Sequence, residues 1–264
     1  MVDVPGERLR GFSNVWKNSG ADPELCALVA RGHKIKFENG APELSLPLPE
    51  FETKLPPEQM VIVRKEIGDL VRKGALRQLS HTKAVRNKGF YSQIFVVPKP
   101  NGKWRTIINL NPLNRFVRKE TFKMDTVKDV HSVLERECYA GVVDLSVAYY
   151  TCSLYKDSRK YCRFIFEKKI YEFCALPMGL SDSPRVFTRL GRFIAGILRK
   201  QGVLLVIYID DLLVLGQTAK ICKQRIELVI QTLRSHGVLE QPHTGRSAGN
   251  HLDLAHGAAQ LHLQ

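Results

Sequence analysis

The sequence predicts an α+β protein, in which helices and antiparallel hairpins alternate without the strand–helix–strand repetition of a parallel sheet. Apolar residues recur on one helical face at Val63, Ile67, Leu70 and Val71, and again at Val186, Leu190, Ile194 and Ile197. Short β-branched and apolar runs come in pairs joined by turn residues. Of the 264 residues, 44% are hydrophobic, enough for one large domain or two small ones with a true core.

The elements follow in chain order. Residues 1–50 mix short helical signals with turn residues and read as an N-terminal extension. Within it, Asp22-Pro23 has the form of an N-cap followed by proline at the first helical position, opening a helix through about Ala30. Pro42, Pro47 and Pro49 mark a loop. A helix begins at Pro57 and stops near Gly74. Gln93–Val97 and Lys103–Leu110 form a strand pair about Lys99-Pro100-Asn101-Gly102. Val142–Leu145 is a short strand bearing a carboxylate. Tyr161–Phe166 and Ile170–Ala175 flank Glu167-Lys168-Lys169 as a second hairpin. Ser183-Pro184 opens a helix to about Lys200. Val203–Ile209 and Leu212–Leu215 form a third hairpin with Asp210-Asp211 at its tip. Thr218 to His236 is the last helix, ended by Gly237. There is no internal repeat and no GxxxxGK[ST] loop. Residues 238–264 turn to Gly, Ala, Gln and His and read as an atypical, poorly ordered tail. His243, His251, His256 and His262 match no familiar metal-site spacing.

Charge and cysteine usage narrow the function. The net charge of +14, from 40 Lys+Arg against 26 Asp+Glu, attracts polyanions without saying which. A basic protein with no nucleic-acid role is compatible with the same number. No apolar run approaches the roughly 20 residues of a membrane span, and the N-terminus lacks the apolar segment of a signal peptide. The six cysteines, Cys26, Cys138, Cys152, Cys162, Cys174 and Cys222, show no CxxC spacing. The expectation is reduced thiols in an intracellular protein of cytoplasm or nucleus, with no zinc framework and no membrane partner.

Asp210 and Asp211 are the only charges in the apolar run from Val203 to Leu215. Bare, buried charges are costly. Asp144, in Val142-Val143-Asp144-Leu145, is a third carboxylate at a strand end among apolar residues. Two carboxylates ~4 Å apart repel by about 4 kcal/mol at an effective dielectric near 20, and a divalent cation reverses that sign. Hard oxygen ligands suit Mg²⁺ bound together with substrate phosphates. Two such ions about 3.5–4 Å apart can activate a hydroxyl and stabilise a leaving pyrophosphate. An ordinary polar turn for the pair, and a cap or turn role for Asp144, account for the same residues in isolation.

Taken together, the neighbouring motifs resemble reverse transcriptases. Tyr208-Ile209-Asp210-Asp211 is similar to their Tyr-x-Asp-Asp box, and Asp144-Leu145-Ser146-Val147-Ala148-Tyr149 to their first carboxylate box. Leu176-Pro177-Met178-Gly179-Leu180-Ser181-Asp182-Ser183-Pro184 resembles the family's template- and nucleotide-contacting turn. Pro98-Lys99 through Trp104-Arg105 resembles its fingers hairpin, followed by Leu110-Asn111-Pro112-Leu113-Asn114. The four boxes stand in the family's order, over roughly residues 7–237. Pro184-Arg185-Val186-Phe187-Thr188, Phe122-Lys123-Met124 and the Trp16 region look most like retrotransposon polymerases of DIRS type.

The resemblance implies a right-hand polymerase with an antiparallel palm sheet backed by helices. Fingers would be 51–118 and 152–182, and palm 119–151 and 183–237. The thumb would be missing, because the sequence after Gly237 departs from the family as if truncated or frame-changed. The implied activity is RNA-directed DNA polymerisation, a two-metal transfer from a dNTP to a primer 3′-hydroxyl. The alternative is a remnant that binds nucleic acid and polymerises little or nothing. Asp144, Asp210 and Asp211 would hold two Mg²⁺ ions, with Mn²⁺ as a substitute. Lys99, Arg105, Ser146, Ala148, Tyr149 and Met178 would bind the dNTP. Lys99 and Arg105 would offset triphosphate charge, backbone N–H groups near Ser146–Tyr149 would hold phosphate oxygens, and Tyr149 would exclude a 2′-hydroxyl. Solvated hairpin charges and a packed core tyrosine are the plainer roles for Lys99, Arg105 and Tyr149. Gly179, Tyr208, Arg185 and Arg189 would meet an RNA or DNA template with its primer, and Arg118 and Lys119 would track its backbone. Val147 and Met178 depart from the residues most relatives carry there.

Overall fold

A computed structural model of the chain describes residues 7–98, 104–122, 138–145, 148–208, 211–238 and 259–261. Its helices are α1 (Ser13–Asn18), α2 (Pro23–Arg31), α3 (Pro57–Arg72), α4 (His81–Arg86), α5 (Asn111–Asn114), α6 (Ser183–Lys200) and α7 (Ala219–Ser235). The strands are β1 (Leu76–Leu79), β2 (Ile94–Pro98), β3 (Trp104–Ile108), β4 (Cys138–Asp144), β5 (Arg163–Phe166), β6 (Lys169–Phe173), β7 (Leu204–Tyr208), β8 (Asp211–Gly216) and β9 (Ala259–Leu261). All the strand pairings between these elements are antiparallel, so the fold is α+β. Among the described residues no helix is long and apolar enough to cross a membrane.

The chain divides into two compact units. The first comprises Met1–Gly11, Ala27–Glu120 and Tyr149–Ser183. Its three-stranded sheet has the order β1-β6-β5, and β2-β3 forms a separate hairpin. The β5–β6 turn is tight because Glu167 and Lys168 both take positive φ, 49° and 56°, the backbone of a two-residue hairpin turn. Lys169 therefore joins β6 and leaves the turn where the sequence placed it. Leu79, Ala84, Tyr91, Ile165 and Ile170 pack as one buried cluster, and Phe51 stacks on Tyr91 with ring centroids 5.6 Å apart. On the central strand, Glu172 stands opposite both Arg77 of β1 and Arg163 of β5. It is 1% exposed, accepts from Arg163 Nε at 2.7 Å and pairs with Arg77 on its other oxygen.

The second unit comprises Phe12–Cys26, Thr121–Ala148 and Pro184–Gln264. Its sheet has the order β7-β8-β4-β9. Ile207, Leu212, Val143 and Val214 share one face and are almost fully buried. Helix α7 lies on that face: Ile226 sits over Gly141, and Cys222 Sγ approaches the Val214 carbonyl at 3.6 Å. Helix α6 packs there too, with Gly191 against Ile207. Thr218 caps α7 by accepting from the Ile221 N–H at 3.2 Å, and Gly237 ends it at φ +77°.

The first fifty residues do not stand apart, since both units draw on them. Trp16 is fully buried, donates to the His236 carbonyl at 2.8 Å and stacks on Phe193 at 5.2 Å. Within the predicted tail, Ala259–Leu261 form an edge strand on β4, with Cys138 opposite Leu261.

Candidate active site

Antiparallel pairing of β4 with β8 sets Asp144 directly opposite Asp211. Opposed residues share a sheet face, with Cβ atoms about 4.5–5.5 Å apart. Alternation explains why both turn away from the helices: their neighbours Val143 and Leu212 are 0% and 1% exposed and point the other way. Asp144 is half-buried and Asp211 exposed. At ~5 Å and a dielectric near 20, two such charges repel by about 3 kcal/mol. Hard carboxylate oxygens held this way fit a divalent cation of the magnesium type. Tyr208 also pairs with Asp211, which leaves Ile209 and Asp210 between them in sequence. Asp210, the third predicted ligand, lies outside the described residues, as do Lys99 and Ser146. For Ala148, Tyr149 and Tyr208 only the backbone is described. Among the described residues no group of three or more His, Cys, Asp or Glu side chains gathers for a metal ion.

In the first unit, Arg105 is exposed on β3 opposite Val97. The next residue, Thr106, donates its backbone N–H to Glu66 of α3 at 2.6 Å, fastening the hairpin to that helix. Burial pushes the half-buried Tyr150 phenol up to about 12; Glu66 adds to the rise and Arg105 opposes it.

The Pro177–Ser183 turn is held by its own neighbours. Gly179 has φ +98°, a conformation that favours glycine, and a Cβ there would crowd the Ile108 carbonyl oxygen at 3.3 Å. Both arms of the Asn114 carboxamide grip the turn: Nδ2 donates to the Gly179 carbonyl at 2.8 Å, and Oδ1 accepts from the Ser181 N–H at 2.9 Å. Ser183 donates its hydroxyl to the Pro177 carbonyl at 2.8 Å, closing the loop at its base. Met178 is 36% exposed at the surface of the turn.

Arg185 is half-buried in the first turn of α6, and Arg118 and Lys119 are exposed. Arg189 donates to Asp22 at 2.8 Å and to Glu24 at 3.0 Å, so its charge is already matched within the second unit.

Residues 97–242 match the family profile described as reverse transcriptase (RNA-dependent DNA polymerase), a span that covers more than half of the chain. The chain belongs to the reverse transcriptase family. Among curated relatives it is similar to the Transposon Tf2-3 and Tf2-4 polyproteins of Schizosaccharomyces pombe (strain 972 / ATCC 24843), at 22% identity over 205 residues. That alignment covers 78% of this chain and 15% of each polyprotein. Among solved structures, prototype foamy virus protease-reverse transcriptase (native) superposes with a TM-score of 0.62 at 20% identity, over 80% of this chain and 26% of that one. The selenomethionine-labelled CSH mutant of that protein gives 0.62 at 21% identity, over 79% and 26%. The likeness shows the α+β fingers-and-palm fold of reverse transcriptases.

Sequence reasoning missed two residues of this reverse transcriptase domain. Asn114 stands at the end of Leu110-Asn111-Pro112-Leu113-Asn114, yet no spacing rule links it to residue 179. Glu66 looks like any solvated glutamate of an amphipathic helix, and only the register of β3 shows the backbone N–H it meets.

Proposed function

We propose that the chain is the fingers and palm of an RNA-directed DNA polymerase of a retrotransposon, which joins dNTPs to a primer 3′-hydroxyl on an RNA or DNA template. The observation that carries this is the facing pair Asp144 and Asp211, on adjacent strands inside the segment that matches the reverse transcriptase profile. Residues 51–118 and 152–182 act as fingers, and 119–151 and 183–237 as palm.

Asp144, Asp210 and Asp211 hold divalent ions, two Mg²⁺ with Mn²⁺ as a substitute. When bound, these ions supply activation of the attacking hydroxyl and stabilisation of the leaving pyrophosphate. The protein's own groups do the rest. Lys99 and Arg105 offset the triphosphate charge that develops as the nucleotide transfers. Backbone N–H groups at Ser146 and Ala148 orient phosphate oxygens. Tyr149 excludes a 2′-hydroxyl, which selects deoxynucleotides. Met178 lies against the nucleotide, and Gly179, Tyr208 and Arg185 contact template and primer. Arg189 reaches a phosphate only by exchanging its present carboxylate partners. Pro184-Arg185-Val186-Phe187-Thr188 supports a DIRS-type origin, and the site of action is intracellular.

Incubated with Mg²⁺, a primed RNA template and dNTPs, the purified chain is expected to extend the primer. An Asp210→Asn variant is expected to stop extending while keeping binding that weakens with salt. A wild-type chain that binds primed template and never extends it overturns the polymerase reading in favour of a binding protein.

A further inference from the structure

We infer that His33, outside every motif of the family match, is a positioning residue for nucleotide binding, acting through Asp182 on the turn that presents Met178 and Gly179. The inference rests on the proposed role of that turn.

His33 is brought into the first unit by Gly32. Gly32 ends α2 at φ +88°, and a Cβ there would stand 2.6 Å from the Ser153 carbonyl oxygen and 2.8 Å from the Leu154 carbonyl carbon. Only glycine allows that approach. His33 then runs alongside Leu154: its N–H donates to the Ser153 carbonyl and its carbonyl accepts from the Tyr155 N–H, both at 2.8 Å. The backbone is thus fixed on two sides, and the imidazole points inward.

His33 Nε2 lies 2.9 Å from Asp182 Oδ2, and each side chain is 6% exposed. The contact is close without being an aligned hydrogen bond. A carboxylate this buried is costly unless something offsets its charge. The imidazole beside it contributes to this, as does the N-terminus of α6, which starts at the next residue. Asp182 is therefore the fixed end of the turn. From it the chain passes to Ser183, whose hydroxyl closes the loop on Pro177, while Asn114 holds Gly179 and Ser181 in the middle. His33 pins the base of a loop whose exposed tip is Met178. Removing the imidazole leaves Asp182 buried with one stabiliser fewer, and the loop base shifts toward water.

The test compares His33→Ala, His33→Gln, Asp182→Ala and the His33→Ala/Asp182→Ala double variant in steady-state primer extension, at a temperature where all remain folded. His33→Ala is expected to raise the dNTP KM about tenfold with kcat nearly unchanged. His33→Gln, which keeps a donor at the same reach, is expected to restore most of the loss. The double variant is expected to be no worse than the worse single one, as for two residues acting through one contact. An unchanged KM in His33→Ala, or a loss that tracks melting temperature and is the same in His33→Gln, overturns the inference. Deuterium uptake at residues 177–183 provides an arm without turnover, using His33→Asn if His33→Ala does not fold. Faster uptake than wild type supports the tie, and equal uptake refutes it. A wild-type chain that fails to extend primers counts against the polymerase reading, and the exchange arm still decides on His33.

Discussion

Asp144 and Asp211 face each other across β4 and β8, so a divalent cation shared between them would offset their mutual repulsion. In an Asp144→Asn variant one of the two facing carboxylates becomes an amide, a poorer ligand for a hard cation. Added Mg²⁺ should stabilise the wild type and leave the variant unmoved. Equal Mg²⁺ shifts in thermal melts of the two proteins contradict the proposed ion site. Glu172 shows the opposite balance. It is buried between Arg77 and Arg163, and Glu172→Gln leaves two guanidinium groups without their anion. Unfolding in urea should show a loss of about 3–5 kcal/mol; a change below about 1 kcal/mol contradicts the account. Asp144 was legible from sequence because an acid among β-branched residues at a strand end is conspicuous. Glu172 was not, because its partner Arg77 lies 95 residues away and only strand register joins them.

At the scale of elements, helix α2 begins where Asp22-Pro23 predicts. Asp22 accepts the Leu25 N–H at 2.8 Å, which with the Arg189 pair outweighs partial burial and holds its carboxyl below the ordinary range. The folded value lies under the unfolded one, so the charge contributes stability fully above the ordinary aspartate value of about 3.9, and this is lost as pH falls through the folded value. The melting-temperature gap between wild type and Asp22→Asn is expected to be constant from pH 7 to about 5 and to close below about pH 4. A gap that persists undiminished at pH 3 contradicts it. The effect is small, since Asp22 is exposed. The long helices and the three hairpins were legible because period and turn chemistry are local signals. Strand β1 was not: Leu-Arg-Gln-Leu has no β-branched residue and pairs only because β6 offers a partner. Strand β9 was hidden for the same reason, in a stretch of Ala, Gln and Leu that registers against β4.

At the scale of the whole molecule, the sequence showed the fold class, but not that its first fifty residues belong to both units. Trp16 gives that a measurable consequence. It is fully buried among Phe193 and His236, and Trp16→Ala is expected to cost about 3–5 kcal/mol in the second unit. Near-ultraviolet circular dichroism together with limited proteolysis can read that loss, and a fully protected α7 in the variant contradicts it. The Trp16 bond to the His236 carbonyl joins positions 220 residues apart. During synthesis the tryptophan leaves the ribosome long before its acceptor is made. The nascent chain must therefore carry the indole without that acceptor while the intervening residues are made, open to chaperones and to neighbouring chains, and closure of this contact is topologically slow.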